Sequence, residues 1–592
     1  MTPQARASAV LFVPAAAWVL AAAAGLAMTS SQPAAWGPVA TRGGTVGSAD
    51  CARCHAEQHE SWHASFHRTM TQSVAAGAEV LAPFDGETLQ TAGFVATMDR
   101  TPEGQPQVTV RRQADGEVVF DATVELTVGS HRYQQYVARI DRGGGDLDRW
   151  RLPFAWHPEA GRWIHLGGAF LFPDLPEGDT DAFFRHFSRW NDNCVFCHNT
   201  EPNPGRTAAG TFETQVAEFG IGCEACHAPG EAHVLRQSNP LRRMLGGEGD
   251  PSVTHPGELT PQRHAEVCGR CHGQRIGKDV ASILANGDGF IPGEDLGAHS
   301  RPILAEARLA SDPDDARPFA ERFWPDGTPR LSAYEYQGLL LSPCYDEGHG
   351  MTCGDCHTMH GQTPAMQLRP GARTEAACVG RCHTPSHYAE HGGHDTVTCQ
   401  GCHMPRTTYG LLRGMISHRI TSPDPAALLD RNDQPDACTQ CHVDQTRDWA
   451  AAKMATLGFA PVAVPSRLRV GSRVERDLLG GDPVQRALAA HALARPEAVG
   501  AVERRVQALV DALEDDYPAV RWFAVRGLQA IAEDAGVRAW AEQYAFMADA
   551  AERIVVVDEL RAAAGESALH ATPAVWDALA AQRDDVAIAI GE

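Results

Sequence analysis

Lysine is almost absent from this sequence of 592 residues, and acidic side chains outnumber basic ones. Only Lys278 and Lys453 are lysines, so nearly all of the 51 basic residues are arginines, against 74 aspartates and glutamates. The formal net charge is −23, which argues against nucleic acid as a partner. An acidic surface of this kind suits a basic protein partner that is attracted electrostatically.

The sequence contains one long apolar run and lacks a second. The run extends from Ala7 to Met28, follows Arg6 and ends near small residues such as Ser30. Residues 1–31 therefore have the layout of an export signal, although the apolar part is longer than usual. The run is also long enough to cross a bilayer as an uncleaved membrane anchor. On both interpretations the rest of the chain lies outside the cytoplasm, in the periplasm or an equivalent compartment.

Seventeen cysteines are present, and in an exported protein they would first be interpreted as disulfides. Their spacing contradicts this, because 16 of them form eight close pairs, each followed at once by histidine. Seven pairs read Cys-x-x-Cys-His, the sixth in chain order has one extra residue, and Cys344 is left over. Numbered 1 to 8, the motifs are Cys51, Cys54 and His55; Cys194, Cys197 and His198; Cys223, Cys226 and His227; Cys268, Cys271 and His272; Cys353, Cys356 and His357; Cys378, Cys382 and His383; Cys399, Cys402 and His403; and Cys438, Cys441 and His442.

This repeated pattern has a specific chemical meaning. Two thiols add to the two vinyl groups of a haem, and the histidine that follows then lies under the iron as its proximal ligand. A zinc ribbon also uses Cys-x-x-Cys pairs, but it has no need of histidine after every second cysteine. We therefore predict about eight covalently attached haem c groups. For motif 6 the alternative is a disulfide or a lost site.

A second population of histidines can supply the sixth ligand of each iron. Of the 27 histidines, 19 lie outside the motifs, and only His491 and His570 of these lie beyond residue 450. Several follow a motif closely, and spacing favours four of them as distal ligands: His67, His233, His360 and His418. Weaker candidates are His131, His264, His387 and His394. The alternative for any single histidine is an ordinary surface or core residue.

The motifs also divide the chain. A first haem segment at residues 46–84 precedes an insert at 85–178, which is rich in valine and punctuated by glycine and is therefore predicted to be β-rich. The other seven motifs fall within 179–450, where we expect short helices and irregular loops. Residues 466–592 lack cysteine and are predicted to form a helical domain. The predicted fold is a mainly α and irregular multihaem cytochrome core with a small β-rich insert and a C-terminal α-helical repeat domain.

The C-terminal region contains a possible internal repeat. The segment from Pro483 to Arg486 matches that from Pro518 to Arg521 at an offset of 35 residues. Proline at a helix start, followed by apolar residues at helical spacing, predicts stacked helix pairs of HEAT type. An ordinary helical bundle is the alternative.

These residues together resemble a known group of proteins. The resemblance is carried by motif 1 with Trp62-x-x-Ser-Phe-His67, by Cys223-Glu-Ala-Cys-His-Ala-Pro-Gly-Glu-Ala-His233, by Cys353-x-x-Cys-His-x-x-His360 and by Cys399-x-x-Cys-His-Met-Pro405. The chain resembles large exported multihaem c-type cytochromes. These are related to the tetrahaem cytochromes of ammonia oxidisers and to the group that contains octahaem hydroxylamine oxidoreductase and pentahaem nitrite reductase. The distal ligands implied by the resemblance are again His67, His233, His360 and His418.

Three functions follow as hypotheses. The first is an electron carrier that passes electrons among haems to other redox proteins or a membrane quinol-oxidising complex. The second is an octahaem oxidoreductase with one open haem that acts on a small nitrogen or sulfur compound. The third is a redox scaffold that docks a protein partner through its helical tail. Pentahaem nitrite reductases commonly place lysine after the catalytic Cys-x-x-Cys, and no such motif occurs here. The carrier is the favoured hypothesis, and the catalytic residues of an enzyme stay unassigned.

Overall fold

The structure is a computed structural model, and it describes most of the chain from residue 44 onwards. The residues outside the description are 1–43, 142–146, 246–249, 310–317, 347–348, 362–366, 381, 385–393, 395–396, 431–433, 566–572 and 589–592. The predicted export signal or anchor at 1–31 and the candidate His387 thus lie outside the described residues. Within the described ranges, no helix combines the length and apolar character needed to cross a membrane.

The predicted β-rich insert forms a nine-stranded antiparallel sheet, which is larger than expected. Strands β2 to β8 pair in sequence order, while β1 pairs with β5 and β9 with β7. The first and last strands come from the flanking haem segments, so the sheet joins them. The strands are β1 Thr71–Ser73, β2 Glu87–Thr91, β3 Phe94–Arg100, β4 Pro106–Arg112, β5 Val118–Val128, β6 Gln134–Asp141, β7 Leu147–His157, β8 Arg162–His165 and β9 Ser188–Arg189.

The sheet folds because apolar residues alternate along its strands. In β4, Val108 and Val110 are buried while Thr109 between them is partly exposed. This period of two places the apolar side chains on one face. That face packs with Phe154 and Trp163 into a core of its own.

The motif region has short elements and much irregular chain, as predicted. Its helices are Ser48–Cys51, Ala56–His63, Thr180–Phe183, Val195–His198, Glu224–His227, Glu231–Gln237, Pro240–Leu245, Pro261–Gly269, Val280–Asn286, Leu296–His299, Glu335–Leu340, Pro343–Asp346 and Cys399–His403, with a π-turn at Trp190–Cys194. The short helix Leu166–Ala169 lies in the insert, after its strand β8. Three small hairpins pair Asn199–Asn203 with Gln215–Phe219, Arg275–Gly277 with Ser300–Pro302, and Thr408–Gly410 with Arg413–Met415. Short 3₁₀ turns occur at Val74–Ala76, Pro256–Glu258, Ala320–Arg322, Cys353–Asp355, Glu375–Ala377 and Pro425–Leu428.

The C-terminal region is helical. After Arg447–Thr456 and a 3₁₀ turn at Ser466–Leu468, its helices are Arg473–Gly480, Pro483–Ala494, Val502–Ala512, Pro518–Ile531, Ala535–Gln543, Ala550–Ala564 and Pro573–Ala580. Ser472 and Asp482 each begin a helix with a reciprocal capping box, which satisfies backbone N–H groups that have no helical partner.

The sequence repeat has a structural counterpart in its two arginines. Arg486 and Arg521 follow helix-starting prolines at the same offset, and both are fully buried. Arg486 binds Asp515 at 2.8 Å, and Arg521 binds Asp174 at 2.6 Å. A buried arginine needs such a carboxylate, because an unpaired charge in the interior is costly. The assignment of these helices to the HEAT type stays a prediction.

The helical region packs directly on the rest of the molecule. One apolar core contains Val520 of a C-terminal helix, Tyr409 and Trp324 of the motif region, and Ile164 of the sheet. Trp522 also donates its ring N–H to the carbonyl oxygen of Leu412 at 3.2 Å. The conventional core of the protein therefore lies where the three parts meet.

Candidate haem-binding site

Each motif places its three functional residues on one side of a single helical turn. The histidine N–H donates to the carbonyl oxygen of the first cysteine at 2.8 to 3.0 Å in five regular motifs, those of His55, His227, His272, His357 and His442. Residues at positions i, i+3 and i+4 of such a turn are neighbours on its surface. Both thiols and the imidazole can therefore reach one haem without rearrangement of the backbone.

Motif 6 keeps this closure despite its extra residue. His383 N–H donates to the carbonyl oxygen of Cys378 at 3.0 Å, and Cys382 N–H donates to the same oxygen at 3.3 Å. Gly380 has a φ of 87°, a left-handed conformation that glycine adopts at little cost. The additional residue is thus absorbed in the turn, and histidine still returns to the first cysteine. Cys344 lies close enough to Cys378 to contribute, after burial, Cys399 and Cys356, to its raised pKa.

Hydrogen bonds to the ring determine which nitrogen of a motif histidine carries the proton and which is left to bind a metal. Nδ1 of His227 lies 2.8 Å from the carbonyl oxygen of Thr254, and Nδ1 of His403 lies 3.1 Å from that of Thr421. A carbonyl oxygen can only accept, so Nδ1 carries the proton and Nε2 is left as a metal ligand. Burial lowers the pKa of His227, which favours its neutral ring.

Four motif histidines face a second histidine at a distance that fits haem iron. The ring centroids are 6.2 Å apart for His55 and His233, 6.3 Å for His272 and His67, 6.2 Å for His227 and His360, and 6.1 Å for His442 and His394. With metal–nitrogen bonds of about 2 Å on both sides, two imidazole centroids across one iron would lie roughly 6 Å apart. The residues therefore fit haem as the bound group, and the porphyrin would occupy the gap between the rings.

The facing histidines come from distant parts of the chain. His233 follows motif 3 but faces motif 1, and His67 follows motif 1 but faces motif 4. His360 follows motif 5 but faces motif 3. His227 has a second neighbour, His255, at 6.4 Å. Sequence spacing had identified three of these distal candidates, but it contained no signal for their pairing.

The remaining distal candidates differ in how close they lie to a motif histidine. His418 is packed beside Gly338. Burial lowers the pKa of His418, and the nearby His357 of motif 5 contributes to the lowering. His394, a weaker candidate by spacing, faces His442 of motif 8. By contrast, His131 stacks on Phe66 at 4.1 Å, a separation that leaves no room for a porphyrin.

Cysteine thiols of different motifs lie close enough to change each other's pKa. Cys223 is the main cause that raises the pKa of Cys51, and Cys51 in turn lowers the pKa of Cys223. Cys271 likewise raises the pKa of Cys197, and Cys353 raises that of Cys268. Burial and then Cys399 raise the pKa of Cys378. In addition to burial, which is the main cause, Cys271 raises the pKa of Cys226, Cys356 raises that of Cys378, and Cys441 raises that of Cys402.

These mutual effects define an order for the attachment points. Motifs 1, 3, 4, 5, 6, 7 and 8 form a line in which a thiol of each motif lies close enough to a thiol of the next to change a pKa. Motif 2 joins this line at motif 4 through Cys197 and Cys271. All 17 cysteines are free, so the sixteen thiols of the motifs are available for thioether bonds.

No family model and no curated protein sequence matches this chain. Among solved structures, it is similar to the outer cell wall cytochrome OcwA, with 16% identity and a TM-score of 0.45 over 88% of this chain and 100% of that chain. It is also similar to the octahaem sulfite reductase MccA of Wolinella succinogenes, with 13% identity and a TM-score of 0.29 over 89% of this chain and 86% of that chain. Haem attachment is supported by the eight motifs and their local geometry.

Proposed function

We propose that this protein is a multihaem c-type cytochrome that transfers electrons through about eight covalently bound haems. The observation that carries the proposal is the order of the attachment cysteines, in which thiols of consecutive motifs from motif 1 to motif 8 lie close enough to change each other's pKa. The thiols would be bonded to the edges of the haems, so this order would make the haems of consecutive motifs neighbours. Electrons can then pass along the line without leaving the protein.

The proposal includes location and partners. Haem attachment and the apolar N-terminal run both support a protein outside the cytoplasm, and residues 1–31 serve as a signal or an anchor. The net charge of −23 suits a basic redox protein or a membrane quinol-oxidising complex as partner. The C-terminal helices offer a surface for a protein partner as well.

Haem content and potentials give the first test. The intact mass of the mature protein should exceed that of its polypeptide by eight haems, and a mass that fits seven would show motif 6 to be empty. Histidine stabilises ferric iron better than methionine does, and adjacent haems oppose each other's reduction. We expect a broad redox titration mostly below zero volts against hydrogen, and a single sharp step at high potential would contradict the proposal.

The line can be tested by removing individual haems. A photosensitiser attached to exposed Lys453, in a Lys278→Arg background, injects electrons near motif 8. Loss of the motif 5 haem through Cys353→Ala and Cys356→Ala should stop electrons from reaching motif 1. The matched variant, Cys194→Ala with Cys197→Ala, removes the branch haem of motif 2 and should leave that transfer intact. Equal effects of the two double variants would overturn the proposed order.

A second candidate function is an oxidoreductase whose open haem is bound at motif 2. Within the described part of the chain, His198 makes no ring contact, whereas four other motif histidines each face a histidine. Burial lowers the pKa of His198 to about 4, and the buried cation of Arg151 contributes. An iron with a free sixth position beside a cation suits a small anionic nitrogen or sulfur compound.

Electron paramagnetic resonance distinguishes the two functions. An open haem gives a high-spin signal that disappears when nitrite, hydroxylamine, tetrathionate or sulfite binds, and reduced viologen then supports steady turnover. The Cys194→Ala, Cys197→Ala variant should lose both the signal and the turnover. Low-spin signals alone, with no turnover, support the carrier.

A further inference from the structure

The distal histidine of motif 1 is bound by a carboxylate. Nδ1 of His233 lies 3.0 Å from Oδ2 of Asp250, while the His233 ring faces His55 of motif 1 at 6.2 Å. A carboxylate oxygen accepts, so Nδ1 donates its proton and Nε2 is the nitrogen that would bind iron. His233 therefore connects the carboxylate to the metal site.

Asp250 is built into this position. Its side chain is only 8% exposed. Oδ1 accepts from Ser252 N–H at 3.0 Å and from its hydroxyl at 2.5 Å, and Oδ2 also accepts from Gln237 Nε2 at 2.6 Å. Arg236 Nε lies 3.6 Å from Oδ1. These bonds hold the carboxylate in one orientation with Oδ2 towards His233.

Other proposed ligands have uncharged partners. Nδ1 of His227 and Nδ1 of His403 each bond a backbone carbonyl, from Thr254 and Thr421. A bond to a charged group is roughly twice as strong as a bond between neutral groups. It draws the proton away from the imidazole and makes that ring a better electron donor to iron. A stronger donor favours ferric over ferrous iron, which lowers the potential of the haem.

We infer that Asp250, acting through His233, lowers the reduction potential of the motif 1 haem. Asp250 is a positioning residue, and the inference rests on the proposed haem ligation. Motif 1 is one end of the line of attachment points, and its neighbour there is motif 3. An electron placed on this low-potential end haem passes downhill into the line, so the end suits a strongly reducing donor.

The test uses the full-length, haem-loaded protein with Asp250→Asn. A potentiometric titration followed by electron paramagnetic resonance reports the low-spin ferric signal of each haem. The motif 1 signal is the one that His233→Ala converts to high spin. At a fixed potential, Asp250→Asn should lower the ferric-to-ferrous ratio of that haem by about tenfold or more, and tenfold corresponds to about 59 mV for one electron. No change in that ratio would overturn the inference.

Glu218→Gln is the matched control. Its carboxylate accepts hydrogen bonds from Ser48 N–H at 3.1 Å and from the Ser48 hydroxyl at 2.7 Å, three residues before Cys51, but it does not bond His233. It removes a negative charge near motif 1 without touching the ligand and should shift the ratio much less. Equal shifts in the two variants would mean that general charge sets the potential, and the inference would fail.

Two further variants distinguish the role of the Asp250 charge from the ligation of iron by His233. Asp250→Glu keeps the carboxylate and should retain a low potential, so a shift as large as that of Asp250→Asn would overturn the role of charge. If His233→Ala leaves every haem low-spin, His233 is not a ligand and the inference fails. Electron transfer along the line, which is argued from the attachment cysteines, would stand in that case.

Discussion

The C-terminal helices and the motif region achieve order in different ways. Helix Pro518–Ile531 buries most of its residues, including Trp522 and Phe523, in a core made of side chains. No residue of helix Cys399–His403 in motif 7 is buried. Side chains fill the first region, whereas most motif cysteines of the second are only partly covered by other residues. We therefore expect the proposed haems to be structural components of the motif region as well as its redox centres.

The ligand pairs explain how haem could supply this order. His67 and His272 face each other across one proposed iron although more than two hundred positions separate them. A bound haem would join such segments through two thioethers and two iron–nitrogen bonds. Cross-links of this kind restrict the unfolded chain, which reduces the need for a side-chain core.

Removal of haem should have the largest effect on the order of the chain, and this effect should fall on the motif region. In protein produced without haem attachment, we expect residues 194–442 to lose protection from hydrogen exchange, because their core would be missing. Helices Pro483–Ala494 and Pro518–Ile531 should keep much of theirs, since their side chains pack against each other. Hydrogen exchange followed by mass spectrometry measures both regions at once. Equal loss in both would show that haem orders the whole chain.

A substitution in the C-terminal helical region should lower the stability of the protein strongly but leave the haem sites unchanged. Arg486→Ala removes the nearest cation from buried Asp515 and leaves Arg583, at 3.9 Å, as its remaining basic neighbour, which should lower the free energy of unfolding by about 3 kcal/mol. The low-spin haem spectrum below the transition should not change. Denaturant unfolding, followed by circular dichroism and by the haem bands, checks both statements. A shifted haem spectrum in this variant would mean that the two regions are not independent.

Acid should weaken the conventional core through His165. Its Nδ1 accepts from Gly167 N–H at 3.1 Å, its Nε2 lies 3.0 Å from the carbonyl oxygen of Phe183, and burial lowers its pKa from 6.5 to about 4. The unfolded chain takes up a proton near pH 6.5, whereas the folded protein does so only near pH 4. Stability is therefore lost as the pH falls through this interval.

Denaturant midpoints measured between pH 7 and 4 test this expectation. His165→Gln can retain one hydrogen bond but has no proton to gain, so its profile should be flatter than that of the unchanged protein. Parallel profiles for the two proteins would exclude His165 as a source of acid sensitivity.

The smallest effect is expected at the surface of the sheet. Arg112 bonds Asp115 at 2.9 Å and Glu117 at 2.6 Å, but all three side chains are substantially exposed. Exposed ion pairs contribute little to stability, so Arg112→Ala should change the free energy of unfolding little and leave the haem potentials unchanged. Denaturation under the conditions used for Arg486→Ala gives the direct comparison. A loss comparable to that at Arg486 would contradict the distinction between exposed and buried pairs.

Local chemistry in the sequence determined the attachment cysteines, the proximal histidines and several helix starts. Cys223 and His227 are four residues apart, so one turn suffices to join them, and Pro483 after Asp482 specifies where its helix begins. Tertiary structure alone decided that His233 faces His55, that Asp250 bonds His233, and that motif 2 joins the line at motif 4. Those relations connect residues whose separation along the chain carries no information about their separation in space, because they depend on how the whole chain folds.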